Sequence, residues 1–244
     1  MSFQYLNIVK SLLSDLEKNE RNNISASICL LVETIKNKRQ IFAFGASHAG
    51  ILSQEMFYRA GGLAVINPVF EPSIMLDLRP VTMTSQMERL EGYGKIIGQN
   101  TKIKSNDVVI IHSVSGRNPV AIDFALYCKS IGAKIIAITN VSYSQSVTSR
   151  HSSSKRLFEI ADIVIDNQGE KGDACVKVEG LPQKVAPTST VIGATIVNII
   201  ISETVIELQK QGVKPPVFFS ANVDGGDENN KAILEEYKDI IHYQ

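Results

Sequence analysis

A glycine-rich segment near residue 45 carries the clearest chemical signal in the chain. It contains Gly45, Ser47, His48 and Gly50. The apolar, β-prone run 41–44 precedes it and apolar residues at helical spacing follow it, which predicts a turn between a buried strand and a helix. Because the first backbone N–H groups of a helix lack partners and carry partial positive charge, we expect an anion at this turn, most often a phosphate.

Three kinds of site fit such a turn, and the residues of the segment separate them. A dinucleotide loop requires Gly-x-Gly-x-x-Gly, whereas this segment has Ser47 at the middle position. The next predicted strand also ends at Asn67 instead of the acidic residue that would hold a ribose, so dinucleotide binding is disfavoured. A serine hydrolase with Ser47 as its nucleophile stays open as a distant alternative. The third possibility is a phosphate pocket in which Ser47 supplies a hydroxyl group.

Two other hydroxyl-rich turns resemble the first. Ser113, Ser115 and Gly116 follow the strand predicted at 107–112, and the segment 187–190 (Pro-Thr-Ser-Thr) opens a long helix. In parallel sheets, ligands bind beyond the carboxyl ends of the strands, so these turns are expected at one edge of the molecule. Three such turns meeting at one point would form a phosphate cradle without a cationic clamp.

Composition narrows the class of protein. With 244 residues, the chain is long enough for one large α/β domain. Lysine plus arginine equals aspartate plus glutamate, at 25 each, so neither nucleic acid nor an anionic membrane is an expected partner. The three cysteines lie far apart, which is typical of reduced thiols in a cytoplasmic protein and not of a zinc site. Polar residues interrupt the apolar run 191–201, which predicts a buried helix and no membrane span.

Strands and helices alternate along the chain, which predicts a parallel sheet covered by helices on both faces. The predicted strands are 41–44, 64–69, 107–112, 134–139 and 163–165, with an edge strand at 174–178. The predicted helices are 3–19, 23–35, 85–97, 119–132, 187–212 and 230–241, the second capped by Asn22 or Asn23 and the fourth by Asn118. The polar loop 142–154 is too long for a plain connection and is typical of a lid or site loop.

The three turns, in their order along the chain, resemble the sugar isomerase (SIS) domain family. The resemblance extends from about residue 35 to residue 212 and is closest to a bacterial subgroup similar to the phosphoheptose isomerases. It implies a three-layer αβα sandwich with a doubly wound, five-stranded parallel sheet. It also implies a phosphorylated sugar as ligand, which family members isomerise or sense. We accordingly divide the chain into an N-terminal helical extension (1–36), the phosphosugar-binding domain (37–212), and a C-terminal loop and helix of the same domain (213–244).

The resemblance also implies roles for individual residues. The implied phosphate ligands are Ser47, Ser113, Ser115, Gly116, Asn118, Ser189 and Thr190. Asn118 stands where many members of the family have serine or threonine. No cofactor and no metal are implied, and the helix at 190–211 is the expected interface of a homodimer or homotetramer.

The expected activity is that of a metal-independent aldose–ketose isomerase. Glu55 is the expected catalytic base, assisted by His48 or His151, because the reaction requires a group that moves a proton between adjacent carbons. The competing interpretation of Glu55 is a salt bridge with Arg59, four residues further along the same helix. The alternatives for the whole protein are a phosphosugar-binding or sensing module without catalysis, or a phosphosugar etherase or epimerase.

Overall fold

A five-stranded parallel sheet forms the centre of the computed structural model, which describes residues 3 to 244. The strands follow the order β2-β1-β3-β4-β5, and every pair in the sheet is parallel. Their bounds are β1 Ile41–Gly45, β2 Ile66–Pro68, β3 Val108–His112, β4 Lys134–Thr139 and β5 Ile163–Asp166. The predicted three-layer α/β architecture with a five-stranded parallel sheet is therefore confirmed.

Helices cover both faces of this sheet. They are α1 Gln4–Asn19, α2 Arg21–Lys36, α3 Ile51–Met56, α4 Thr82–Met87, α5 Tyr93–Asn100, α6 Pro119–Ser130, α7 Val141–Gln145, α8 Ser189–Lys210 and α9 Gly226–Glu236. Short 3₁₀ turns occupy Ser47–Gly50, Pro72–Ile74 and Leu157–Glu159. A separate antiparallel hairpin pairs β6 (Ala174–Val176) with β7 (Val185–Pro187).

Strand β3 shows why the sheet is buried on both faces. Val108 and Ile110 belong to the apolar cluster that includes residues of α2 and α8. Val109 and Ile111 point the other way, into the cluster that includes residues of α5 and α6. A strand covered on both faces is apolar at every position, which explains the continuous apolar runs in the sequence.

Helix α8 lies in the layer with α2 and α3 and makes contacts with both. Among residues 3 to 244, it is the one helix whose length and apolar composition would suit a membrane span, and 44% of its most apolar window is buried in the fold. A helix of this kind is also found in the core of water-soluble proteins, and here it packs against the sheet cluster described above.

The predicted helix at 85–97 is wrong. The chain forms α4 and α5 instead, with residues 88–92 between them. Gly92, the N-cap residue of α5, has φ +89°, a left-handed conformation that a continuous helix does not contain, and its backbone N–H donates to Asp123 Oδ2 at 2.6 Å. Glu88 is the C-cap residue of α4, so the chain leaves the helix directly after it.

Two other expectations about elements are also wrong. Residues 174–178 do not form an edge strand of the main sheet, since β6 pairs only with β7 among the described strands. Helix α2 begins at Arg21, so the predicted caps Asn22 and Asn23 lie in its first turn. The Asn23 amide donates to Glu20 at 2.9 Å instead of capping the helix.

Candidate functional site

The first two predicted turns lie next to each other in the fold. Strands β1 and β3 are neighbours, and Gly45 at the end of β1 is paired in register with His112 at the end of β3. Ser47 follows two residues after Gly45, and Ser113 follows directly after His112. Both turns therefore lie at the carboxyl edge of the sheet, where open α/β proteins bind their ligands.

The turn at 113–118 presents a row of unpaired donors. Within the described chain, none of the backbone N–H groups of residues 114–118 donates a hydrogen bond, and neither does the hydroxyl of Ser113 or Ser115. Gly116 has φ +59°, and a Cβ added there would lie 3.0 Å from the Ser144 hydroxyl. The 12-residue helix α6 begins directly after this turn, so the positive end of its dipole lies here. Unpaired N–H groups at the start of a helix are a typical anion-binding arrangement, and we call residues 114–118 the nest.

Gly45 and Ser47 give the first turn its shape. A Cβ at Gly45 would lie 2.5 Å from the Ala49 carbonyl oxygen, so only glycine permits this close approach. Ser47 adopts φ +51°, a conformation that costs energy for a residue with a side chain. This conformation accompanies the hydrogen bond from the Ser47 hydroxyl to the carboxylate of Glu88.

Glu88 joins the two turns and was not identified from the sequence. One carboxylate oxygen accepts the hydrogen bond from Ser47, and the other accepts from Asn118 Nδ2 at 2.7 Å. The Glu88 carbonyl oxygen also accepts from the backbone N–H of Val120, at 3.1 Å. The only signal in the sequence was the glycine pair at 92 and 94, which indicated that the helix predicted around Glu88 is weak.

Asn118 occupies the N-cap position of α6 as predicted, but its side chain makes no capping hydrogen bond. Its amide instead donates to Glu88 and its oxygen accepts from Arg150 Nη1 at 2.9 Å. Asn118 therefore links the carboxylate at the centre of the site to the loop that follows α7.

None of the three residues expected to be catalytic makes a side-chain hydrogen bond or ion pair with Glu88 in the described chain. Glu55 forms an ion pair with Arg59 and accepts a hydrogen bond from Asn198 of α8 at 2.9 Å. His48 is exposed, and its side chain makes no hydrogen bond with the described part of the chain. Glu55 thus faces α8, and its role as a base stays a prediction.

His151 is held in a separate polar network. Its Nε2–H donates to Asp123 Oδ1 at 2.9 Å, and its Nδ1 accepts from the backbone N–H of Ser153 at 3.0 Å. The side chain is only 7% exposed. Because both ring nitrogens form hydrogen bonds within the protein, His151 fixes the loop after α7.

The third predicted turn already holds an anionic group of the chain itself. Asp173 accepts hydrogen bonds from the backbone N–H of Ser189 at 2.8 Å and from its hydroxyl at 2.5 Å. The backbone N–H of Thr188 also donates to Asp173, at 3.2 Å. Thr190 is partly buried and its hydroxyl has no partner among the described residues. A carboxylate of the chain therefore occupies the turn at which the sequence predicted a sugar phosphate.

Buried polar atoms without partners are concentrated at the same edge of the sheet. Of eight such side-chain atoms in the described chain, six belong to His112, Arg117, Asn140, Ser144, Asn167 and Thr188, which lie at or just beyond the strand ends. Native proteins leave few buried polar groups unpaired, so a cluster of them indicates a functional region.

Burial lowers the pKa of His112 to about 4. The ring is therefore neutral at pH 7, and its Nδ1–H donates to the Ala49 carbonyl oxygen at 3.0 Å. His112 is therefore a hydrogen-bonded core residue. It also leaves Nε2 buried with a free lone pair.

A cavity of about 400 Å³ adjoins Ser47. Gly45, Ser47, Gly50 and Gln54 form its polar side, while Val69 and Ile74 contribute to the apolar side. This volume is in the range of small-molecule sites. No group of three or more histidine, cysteine, aspartate or glutamate side chains in residues 3–244 is arranged to hold a metal ion.

Comparisons with known proteins agree with this fold. The sequence model of the SIS domain matches residues 4–140, a segment that contains both the Ser47 turn and the nest. A UPF0309 protein from Shouchella clausii is 50% identical over 240 residues, which cover 98% of each chain. One from Oceanobacillus iheyensis is 49% identical over 243 residues, covering 100% of this chain and 98% of the relative. A phosphoheptose isomerase from Neisseria gonorrhoeae has a TM-score of 0.51 with 13% identity, over 82% of this chain and 92% of that one, which shows a shared fold.

Proposed function

The chain belongs to the SIS domain family, and from this premise we propose that it binds a phosphorylated sugar and interconverts its aldose and ketose forms without a metal ion. The observation that carries this proposal is the Glu88 carboxylate, which accepts hydrogen bonds from Ser47 and Asn118 and so lies between the turns that follow β1 and β3. The nest would hold the phosphate and Glu88 would act on the sugar carbons.

The chemistry requires one group that removes a proton from the carbon beside the carbonyl and returns it to the neighbouring carbon. A carboxylate suits this role because it can accept and release a proton without a cofactor. Glu88 lies beside the nest, since Asn118 is both a member of the nest and a hydrogen-bond donor to Glu88. A sugar anchored by its phosphate in the nest would thus extend past the carboxylate towards the cavity beside Ser47.

The test compares two carboxylates in the same assay. Wild type and variants are incubated with a panel of aldose and ketose phosphates in D₂O, and NMR follows both conversion and deuterium incorporation at the carbon next to the carbonyl. We expect Glu88→Gln to lose about 10²–10⁴-fold in turnover, the usual contribution of a general base. Glu55→Gln is the matched variant at the other candidate. Full activity of Glu88→Gln, or loss only in Glu55→Gln, contradicts the assignment of Glu88.

A second function is favoured by one observation, namely that both Glu88 oxygens already accept hydrogen bonds from the protein. A carboxylate occupied in this way also suits a phosphosugar-binding module in which Glu88 only fixes the two turns. That function predicts binding of a sugar phosphate by wild type with neither conversion nor deuterium exchange. Phosphosugar etherase and epimerase activities use the same proton abstraction, and product analysis in the same NMR experiment distinguishes them.

We also propose that the chain forms a homodimer or a homotetramer through α8. A shallow groove of about 630 Å³ on this helix is lined by Val191, Ala194, Thr195, Asn198, Ile199 and Ser202. Ile206 lies on the same helix and is 43% exposed. Exposed apolar surface on a long helix is typical of an interface between subunits.

A further inference from the structure

Two arginines without carboxylate partners, Arg117 and Arg150, lie at the Asn118 end of the nest, and the charge of a third, Arg89, acts on Arg150. Arg150 Nη1 donates to Asn118 Oδ1 at 2.9 Å, and Arg117 Nη2 donates to the Thr148 hydroxyl at 3.4 Å. Arg89 directly follows Glu88 in the chain. In the described part of the chain, the arginines that do form ion pairs are Arg21, Arg59 and Arg156.

The loop after α7 is anchored so that Arg150 is held in place. The backbone N–H of Arg150 donates to the carbonyl oxygen of Arg117 at 2.9 Å, which joins the loop directly to the nest. The next residue, His151, is fixed by Asp123 of α6. Ser152 donates through its backbone N–H to Glu91 at 3.1 Å. These contacts fix the backbone of Arg150 and the two residues that follow it.

Arg156 closes the other end of the same loop. One of its guanidinium nitrogens, Nη1, donates to the carbonyl oxygens of Ser144, Gln145 and Val147 at 3.2 to 3.4 Å. Gln145 ends α7 and Val147 lies in the loop that follows. The loop is therefore a built structure whose hydrogen bonds serve to position Arg150 and Thr148.

The three positive charges repel each other in the structure as it stands. Partial desolvation lowers the pKa of the Arg150 guanidinium although the residue is exposed, and the charges of Arg117 and Arg89 lower it further. Arg117 Nε is buried and has no hydrogen-bond acceptor. Glu88 is the carboxylate whose charge acts on Arg150, so these three guanidinium groups and Glu88 together carry a net charge of +2, which a phosphate monoester dianion would neutralise.

We propose that Arg89, Arg117 and Arg150 form a cationic clamp that makes the nest selective for the dianionic form of a phosphate monoester. Guanidinium groups suit this ligand because their planar N–H pairs match the spacing of phosphate oxygens. The proposal rests on the phosphate site of the proposed function but not on any catalytic step. It reverses the expectation from the sequence that the cradle has no cationic clamp.

Two small probes test the clamp without knowledge of the sugar. Methyl phosphate is a dianion at pH 7.5, whereas dimethyl phosphate stays a monoanion, and titration calorimetry compares their affinities. We expect wild type to prefer methyl phosphate by at least about tenfold, and this preference to fall as the pH drops through the second phosphate pKa near 6. Arg150→Gln and Arg117→Gln should each bind methyl phosphate about 10- to 100-fold more weakly, the usual effect of losing a hydrogen bond to a charged group.

The controls separate charge, geometry and folding. Arg150→Lys keeps the charge but not the planar pair of donors and should fall between wild type and Arg150→Gln. Arg21 is exposed and forms an ion pair with Glu17, not with any residue of the nest. The variant Arg21→Gln should therefore bind methyl phosphate like wild type. Because Arg150 is exposed, its substitution is expected to leave the melting temperature near that of wild type, and circular dichroism checks this.

Each outcome bears on the clamp or on the enzyme separately. Equal affinity for the two probes, or unchanged binding in both arginine variants, overturns the clamp. If those variants bind normally while Glu88→Gln alone loses turnover, the clamp is wrong and the proposed function stands. If the arginine variants lose methyl phosphate binding while wild type turns over no sugar phosphate, the clamp stands and the isomerase is wrong.

Discussion

The Ser47 hydroxyl donates a hydrogen bond to the carboxylate of Glu88, although 41 residues separate them in the chain. Ser47 follows β1 and Glu88 follows α4, so the bond joins two segments that the sheet brings to one edge. A serine hydrolase needs a histidine that accepts the proton of the serine hydroxyl. In the described structure the Ser47 hydroxyl donates to Glu88 and to no histidine. Ser47 is therefore better suited to position the acid than to act as a nucleophile.

Substitutions of Ser47 separate its backbone strain from its hydroxyl. Ser47 has φ +51°, which alanine tolerates poorly and glycine tolerates well. We expect Ser47→Gly to be more stable than Ser47→Ala by roughly 1 kcal/mol, measured by urea denaturation. Both variants lose the hydrogen bond to Glu88, so both should lose turnover. Equal stability of the two would show that the left-handed conformation is not maintained, and full activity of either would remove the hydroxyl from the site.

Much of the fold could be predicted because its signals are local. Strands β1, β3 and β4 are marked by apolar runs of a few residues, and the turns after β1 and β3 by glycines beside Ser47 and Ser115. These local patterns were enough to predict the strands and turns. Glu88 could not be found in this way, since its role depends on a helix break and on partners 30 and 41 residues away. Arg150 was missed for the same reason, because distant side chains fix the loop that presents it.

Asp173 and Ser189 provide a test of the third turn. Asp173 caps α8 through its hydrogen bonds with Ser189. Asp173→Ala should therefore lower the free energy of unfolding by about 1–2 kcal/mol, as measured by urea denaturation. Asp224→Ala, at an exposed loop position, should change it by less than about 0.5 kcal/mol.

The same turn makes a prediction about ligand affinity. Since Asp173 already occupies the N–H groups at the start of α8, Ser189→Ala should leave the affinity for methyl phosphate unchanged. Ser115→Ala should weaken it several-fold, because the Ser115 hydroxyl has no partner within the described chain. A loss confined to Ser189→Ala would instead identify the α8 turn as the phosphate site.

The apolar groove of α8 predicts the oligomeric state. If α8 forms the interface, Ile199→Glu places a charge among apolar contacts and should convert the assembly to monomers, because an unpaired charge is costly to bury. Light scattering coupled to size-exclusion chromatography measures the mass of wild type and variant. Val223→Glu, on an exposed loop outside α8, is the control and should keep the wild-type mass. A monomeric wild type contradicts the proposed interface.

The buried His112 predicts how stability depends on pH. Burial lowers its pKa from the ordinary 6.5 to about 4, so the unfolded chain takes up this proton more readily than the folded one between these values. The contribution of neutral His112 is complete above pH 6.5 and declines as the pH falls to 4, by on the order of 3 kcal/mol.

His112→Asn isolates this effect, because an asparagine amide can replace the Nδ1–H donor towards Ala49 but does not titrate near neutral pH. Burial raises the pKa of Asp107 and of Asp166, and these groups act in the opposite direction, since the folded chain takes up their protons first. They are common to both proteins, so the difference in unfolding free energy between wild type and variant cancels them. That difference, measured by urea denaturation from pH 7 to pH 4, should shift steadily in favour of His112→Asn as the pH falls. A difference that stays constant over this range would show that His112 takes up its proton equally well in the folded and unfolded chains.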